Sequence, residues 1–262
     1  NNRAVLIDIK DLDYKETARK ISQTIESVGG SINAFTDRDN TCYYTKVPYN
    51  KANVAFNVLS DLFYNSTFDE KEFDRERQVI IEEIRMYDDQ PDSVALDALL
   101  AQLWSGHPLG RPILGPIDII QNLQRDDIVR YKEEQYAPER TLFSFIGKIN
   151  HETCVKWVKS VASHLENSAI IREPETYSRA IPLDPFTLIR RDIQQTHIAL
   201  GWRTPGFADS KDGYPYAVVL LSTLLGESMM SRLFQTIRER RGLCYNINSF
   251  TSLCADSGAL II

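Results

Sequence analysis

Apolar positions along the chain follow two rhythms, and their succession predicts mixed helices and strands. Arg3 to Ile9 (RAVLIDI) reads as a short strand ahead of a polar stop. From Tyr14 to Val28 the period lengthens. Ala18, Ile21, Ile25 and Val28 share one helical face, which Gly29-Gly30 ends. Ser31–Thr36 and Thr41–Val47 alternate as two strands about the polar turn Asp37-Arg38-Asp39-Asn40, predicting a hairpin. Helical spacing follows over 50–64, 69–88, 91–104 and 125–136, broken by a glycine- and proline-rich loop from Gly106 to Pro112. Thr141–Gly147 predicts a central strand and 151–165 a helix.

Asn167–Pro185 is polar, carries Pro174, Pro182 and Pro185, and shows no periodicity, so it reads as a linker. Beyond it the order restarts: a strand over 195–202, helices over 212–226 and 229–241, then strands over 244–252 and 257–262. This predicts an α+β fold of two tandem, related α/β units with mixed sheets flanked by helices. The first unit spans 1–166, the linker 167–185, and the second, 186–262, is read as truncated because Ile262 falls inside an apolar strand.

Composition narrows the function. The 262 residues are 43% hydrophobic and 25% charged, with Gly 12 and Pro 11, which excludes low-complexity disorder. Thirty basic against 36 acidic residues give a net charge of −6, which argues against nucleic-acid binding. The longest apolar run, Tyr216 to Leu225, is broken by Ser222 and falls far short of the roughly 20 residues that span a bilayer. No basic-then-apolar leader opens the chain. Cys42, Cys154, Cys244 and Cys254 are widely spaced, with no CxxC pair, as suits a reducing compartment.

Candidate chemistry lies in the segment after Asp69, which reads as an N-cap with Glu72 completing a capping box. At about 100° per residue, Glu76 and Glu83 project within about 20° of each other, two turns apart. Phe73, Val79, Ile80, Ile84 and Tyr87 share that arc, which places both glutamates in a buried stripe, with Arg75, Gln78 and Glu82 opposite. A buried carboxylate must be paired or bind a metal. A salt bridge to a neighbouring element and a metal or acid/base role are both open at this point. None of His107, His151, His164 and His197 forms HExxH or HxxEH. His151 and His164 read as surface helix residues, His107 as a structural turn residue and His197 as a core histidine in a strand.

Four stretches carry a resemblance: ESVGGSINAFTDRDNTCYYTKVP, FDEKEFDRERQVIIEEIRMYDDQPD, HPLGRPILG and SRLFQTIRERRGLCY. In this order, across nearly the whole chain, they resemble the pitrilysin/insulinase family of zinc metallopeptidases, in its bacterial and mitochondrial-processing-peptidase-like branch. The resemblance implies zinc as cofactor, Glu83 as a metal ligand and Glu76 as a supporting catalytic residue. It further implies a substrate-pairing strand edge at Gly30, Ser31, Asn33, Ala34 and Thr36, with Asn33 and Ala34 the main contacts. Arg238 and Tyr245 are implied to reach the bound peptide from the second unit, in both binding and catalysis. Taken alone, Arg238 reads as a solvated helix charge and Tyr245 as core packing.

The family's inverted motif, HxxEH, is absent. Counted back from Gly29-Gly30 it falls on Arg3–Ile7, which instead resembles the family's opening strand. The expectation is a segment missing between Asp13 and Tyr14 that held the zinc helix. The leading reading is a zinc endopeptidase that degrades or processes unfolded or presequence-like peptides in an enclosed clamshell chamber, inactive as the chain stands. The alternative is a non-catalytic peptide-binding subunit of the same family. A homo- or hetero-dimer is compatible with either. Bacterial cytoplasm is the expected compartment, with the mitochondrial matrix second.

Overall fold

The computed structural model describes residues 17–162, 186–208 and 213–262. The Asp13–Tyr14 junction, the Arg3–Ile9 strand, His164 and the 167–185 linker lie outside the described residues. By contacts the described residues divide into two compact units, 17–36, 40–75 and 123–162 in the first, and 37–39, 76–122, 186–208 and 213–262 in the second.

In the first unit, Gly29 closes α1 (Thr17–Glu26) by taking a left-handed backbone, φ 76°. Its amide returns to the Glu26 carbonyl at 2.9 Å and that of Gly30 to Ile25 at 3.0 Å, the paired bonds that satisfy a helix's last carbonyls. The chain then enters the expected hairpin. β1 (Ser31–Thr36) and β2 (Thr41–Lys46) pair antiparallel, with Thr36 opposite Thr41 and Ser31 opposite Lys46. α2 (Ala52–Tyr64) buries Ala55, Phe56 and Val58. Phe56 stacks on Trp157 of α7 (His151–Ala162), ring centres 5.6 Å apart, and meets Phe143 and Phe145 at 6.2 and 6.0 Å. His151, first in α7, is exposed as expected.

Thr141–Gly147 does not form the expected central strand: it joins no ladder among the described residues. Its period of two persists, since Phe143 and Phe145 turn to Phe56 while Leu142 and Ile146 are 91% and 97% exposed. Alternation prepares a segment to be a strand, but pairing requires a neighbour.

The second unit is built on α4 (Pro91–Leu103) and a three-stranded antiparallel sheet. β3 (Gly201–Thr204) and β4 (Phe250–Leu253) flank β5 (Gly258–Ile261), whose four residues are all buried. Leu100, Leu103, Trp104, Leu109, Cys254, Ala259 and Ile261 form one cluster. Arg203 Nε donates to the Leu103 carbonyl at 2.7 Å, tying β3 to the end of α4. α3 (Glu70–Asp88) begins in the first unit and continues into the second. α6 (Arg125–Gln135) and α8 (Tyr214–Leu225) fall within two or three residues of their predicted bounds. The short α5 (Ile117–Asn122) has no apolar period long enough to announce it.

Three expectations shift here. The 195–202 strand starts regular pairing only at Gly201, although Leu200 and Ile262 exchange both backbone bonds at 2.9 Å. The 244–252 strand contracts to Phe250–Leu253. His197 is exposed rather than a core histidine, as are all of residues 186–198, which nothing covers among the described residues.

The hairpin turn also has a buried task. The Arg38 side chain is 7% exposed, donates to the carbonyls of Leu109 and Arg111 (2.7 Å to the latter), and lies 3.7 Å from Asp97. It thereby fixes the Gly106–Pro112 loop, where His107 Nδ1 accepts from the Leu109 amide at 3.2 Å, the structural turn role expected of it. Asp39 accepts from the Ala255 amide at 3.0 Å. Burial, and then the Asp39 carboxylate beside it, pushes the Cys254 thiol up to about 12. The folded state therefore holds this proton more tightly than the unfolded chain. The stability involved is intact below the ordinary thiol value of 9.0 and is lost as pH rises towards about 12. At pH 8, half-buried Cys42 and Cys244 should react with a thiol reagent first, with buried Cys154 and Cys254 reacting only on unfolding. Prompt labelling of Cys254 in the folded protein would contradict this protection.

Candidate functional site

α3 is capped as its sequence indicates: Asp69 Oδ1 accepts from the amides of Lys71 and Glu72 at 3.0 and 3.2 Å. Glu72 turns to Arg75 instead of back to the cap. The helix buries Ile81 and Ile84, with Phe73, Arg77 and Ile80 half-buried beside them. This corrects the position of the stripe. Glu76 is exposed and Glu83 half-buried, and both lie on one flank of the buried face, about a quarter-turn from its centre. The stripe was drawn through Val79 and Tyr87, which are 51% and 43% exposed. Spacing marks which residues align, but which side of an apolar arc finds a packing partner is decided by the rest of the fold. The two carboxylates do share a direction. Among the described residues neither pairs with a cation, so the salt-bridge alternative gains nothing.

Zinc prefers four ligands, three or four of them from protein. Among the described residues no group of three His, Cys, Asp or Glu side chains comes together. These residues alone do not make up a zinc site.

Among the described residues β1 pairs only with β2 and nothing pairs with its other edge, and Asn33 and Ala34 are exposed. Asn33 Oδ1 accepts from the Ala34 amide at 2.8 Å, covering that donor locally.

Arg238 and Tyr245 do come together. Arg238 lies in a π-helical stretch, Phe234–Arg240. Gly242, at φ 62°, turns the chain left-handed, and the amides of Gly242 and Leu243 reach back to the carbonyls of Arg238 and Ile237 at 3.0 and 3.1 Å. That reversal returns Tyr245 over the helix end, with its ring centre 5.8 Å from the Arg238 guanidinium carbon. Tyr245 is 87% exposed, which corrects the core-packing reading. On its other contact the guanidinium lies 4.5 Å from the Phe234 ring. Nη1 donates to Glu239 at 3.0 Å. Sequence reasoning passed over Phe234 and the buried Arg38. The signal for Phe234 was an aromatic four residues before an arginine on one helical face.

Comparison with known proteins identifies the family. Residues 13–117 match the insulinase (peptidase family M16) domain, and 122–262 match the peptidase M16 inactive domain. A Bacillus subtilis protein named zinc protease YmxG is 35% identical over 250 residues, covering 94% of this chain and 59% of that protein. A Mycobacterium leprae protein, also named a zinc protease, is 37% identical over 248 residues, covering 94% of this chain and 55% of that one. The chain thus spans under two thirds of these relatives' length. Among solved structures, a Helicobacter pylori protease superposes with a TM-score of 0.81 at 24% identity, covering 92% of this chain and 59% of that one. A Pseudomonas fluorescens peptidase M16 inactive domain gives 0.72 at 16% identity, covering 92% and 58%. With matches running from residue 13 to residue 262, the chain belongs to the insulinase, or M16, family of peptidases.

Proposed function

We infer that the protein is a zinc-dependent endopeptidase acting on unfolded or extended peptides. The observation that carries this reading is the convergence of Arg238 and Tyr245 at a helix end, with the Tyr245 side chain 87% exposed. A guanidinium has five N–H donors, suited to peptide carbonyl oxygens. The open edge of β1 would accept the peptide backbone as an added strand, with Asn33 releasing the Ala34 amide to it. Glu83 would supply one metal ligand and Glu76 would support it. The described residues hold no further ligands beside it, so the others would have to be supplied from elsewhere. In sequence terms we propose 1–166 and 186–262 as the two domains, and the bacterial cytoplasm as the compartment.

One observation favours the alternative, a non-catalytic peptide-binding subunit. With Glu76 exposed, keeping the two glutamates without a metal would cost little. Zinc content and turnover of an unstructured fluorogenic peptide by the intact protein separate the two. The endopeptidase should carry zinc, lose turnover on chelation and regain it on zinc addition. Tyr245→Phe should lower kcat/KM about tenfold, as for a lost hydrogen bond to a charged or reacting group, with Tm unchanged. Peptide binding without zinc or turnover would establish the subunit instead.

A further inference from the structure

We propose that Phe234 is a positioning residue for peptide recognition, holding the Arg238 guanidinium in the plane that a bound peptide requires. The inference rests on the peptide-binding reading of Arg238 above and adds a residue to it. Phe234 and Arg238 are four apart, so their side chains stack along one face of the π-helical stretch. The guanidinium carbon lies 4.5 Å from the Phe234 ring centre, nearer than the 5.8 Å to Tyr245. Arg238 therefore has two aromatic neighbours, a half-buried one on its own helix and an exposed one on the returning chain.

These two rings differ in what they can do. Tyr245, 87% exposed, is covered by little besides Arg238 among the described residues. Phe234 is part of the helix and cannot leave. Guanidinium planes are attracted to aromatic faces, and this contact leaves the edge-directed N–H donors available. Among the described residues Nη1 alone is engaged, by Glu239, whose own side chain is half exposed. Glu239 follows Arg238 directly and restrains one end of the fork, while Phe234 restrains its plane. Without the ring, the arginine would recover the rotamer freedom of a surface side chain, and binding would have to remove it again.

The test is peptide binding to the metal-free intact protein, read by anisotropy of a fluorescent, unstructured peptide. This makes the readout independent of catalysis. Phe234→Leu should raise Kd about fivefold, in the range of a partly desolvated cation–π contact, and Phe234→Tyr should stay near the wild-type value. Arg238→Ala should raise Kd at least as much. The double variant Phe234→Leu/Arg238→Ala should be no weaker than Arg238→Ala alone, because the ring acts only through the arginine. A merely structural role would lower Tm and add to the arginine effect. Unchanged binding in Phe234→Leu, or additive losses in the double variant, would overturn the proposal while leaving the peptide reading intact. Unchanged binding in Arg238→Ala would overturn the peptide reading, and this proposal with it.

Discussion

Glu83→Gln should abolish peptide turnover by the intact protein while leaving its metal-free fold as stable as before. The amide keeps the shape of the carboxylate and removes the charge that a metal would require. Glu76→Gln, at the residue proposed to support that ligand, should lower turnover by about 10- to 100-fold, the usual effect of losing a ligand's supporting group. Stability decides between this role and a structural one. A glutamate in a buried ion pair would cost about 3–5 kcal/mol when its charge is removed. Glu83 is only half-buried and Glu76 is exposed, and neither pairs with a cation among the described residues. The Tm of the metal-free variants should therefore match the wild type. Full turnover in Glu83→Gln would remove this residue from the chemistry. Undiminished turnover together with a large fall in Tm would return it to the salt-bridge reading.

How much of this was legible in the sequence differs by type of signal. The α1 terminus, the hairpin and the α3 cap were readable because each is set by local residues. Gly29 supplies its own φ and Asp69 its own cap bonds, whatever lies around them. What failed depended on distant partners. Thr141–Gly147 has the alternation of a strand, yet no neighbour to pair with among the described residues. Val79 and Tyr87 are apolar at helical spacing and so enter the stripe, yet both are exposed and the buried face centres on Ile81 and Ile84. The site follows the same division. The direction shared by Glu76 and Glu83 came from helical geometry, while their burial did not. Arg238 and Tyr245 looked unremarkable singly, since a charge in RERR is ordinarily solvated and a tyrosine ordinarily packed. Only the left-handed turn at Gly242 brings them together, and it took the resemblance to other proteins to single them out. Arg38 was the reverse case. A charged residue in a polar turn is usually on the surface, but this one reaches two carbonyls more than seventy residues away in sequence.

The largest stability effect expected in the second unit is at Trp104. Its side chain is fully buried, at 0% exposure, within the cluster of Leu100, Leu103, Leu109, Cys254, Ala259 and Ile261. Its indole Nε1 donates to Ser257 Oγ at 2.9 Å, joining the end of α4 to the turn before β5. Trp104→Ala removes the apolar surface and leaves a cavity, which should cost about 3–5 kcal/mol in urea unfolding. Trp104→Phe separates the two contributions. It keeps most of the apolar surface but strands the Ser257 hydroxyl, which is 1% exposed, at a cost of about 1–3 kcal/mol. If that stranded group is the cause, adding Ser257→Ala to Trp104→Phe should recover part of the loss, since an apolar pair needs no hydrogen bond. Leu142→Ala provides the control: at 91% exposure it should change stability by less than about 0.5 kcal/mol. Equal losses in Trp104→Ala and Leu142→Ala would mean that this cluster is not what holds the unit together. No recovery in the Trp104→Phe/Ser257→Ala pair would assign the whole effect to packing.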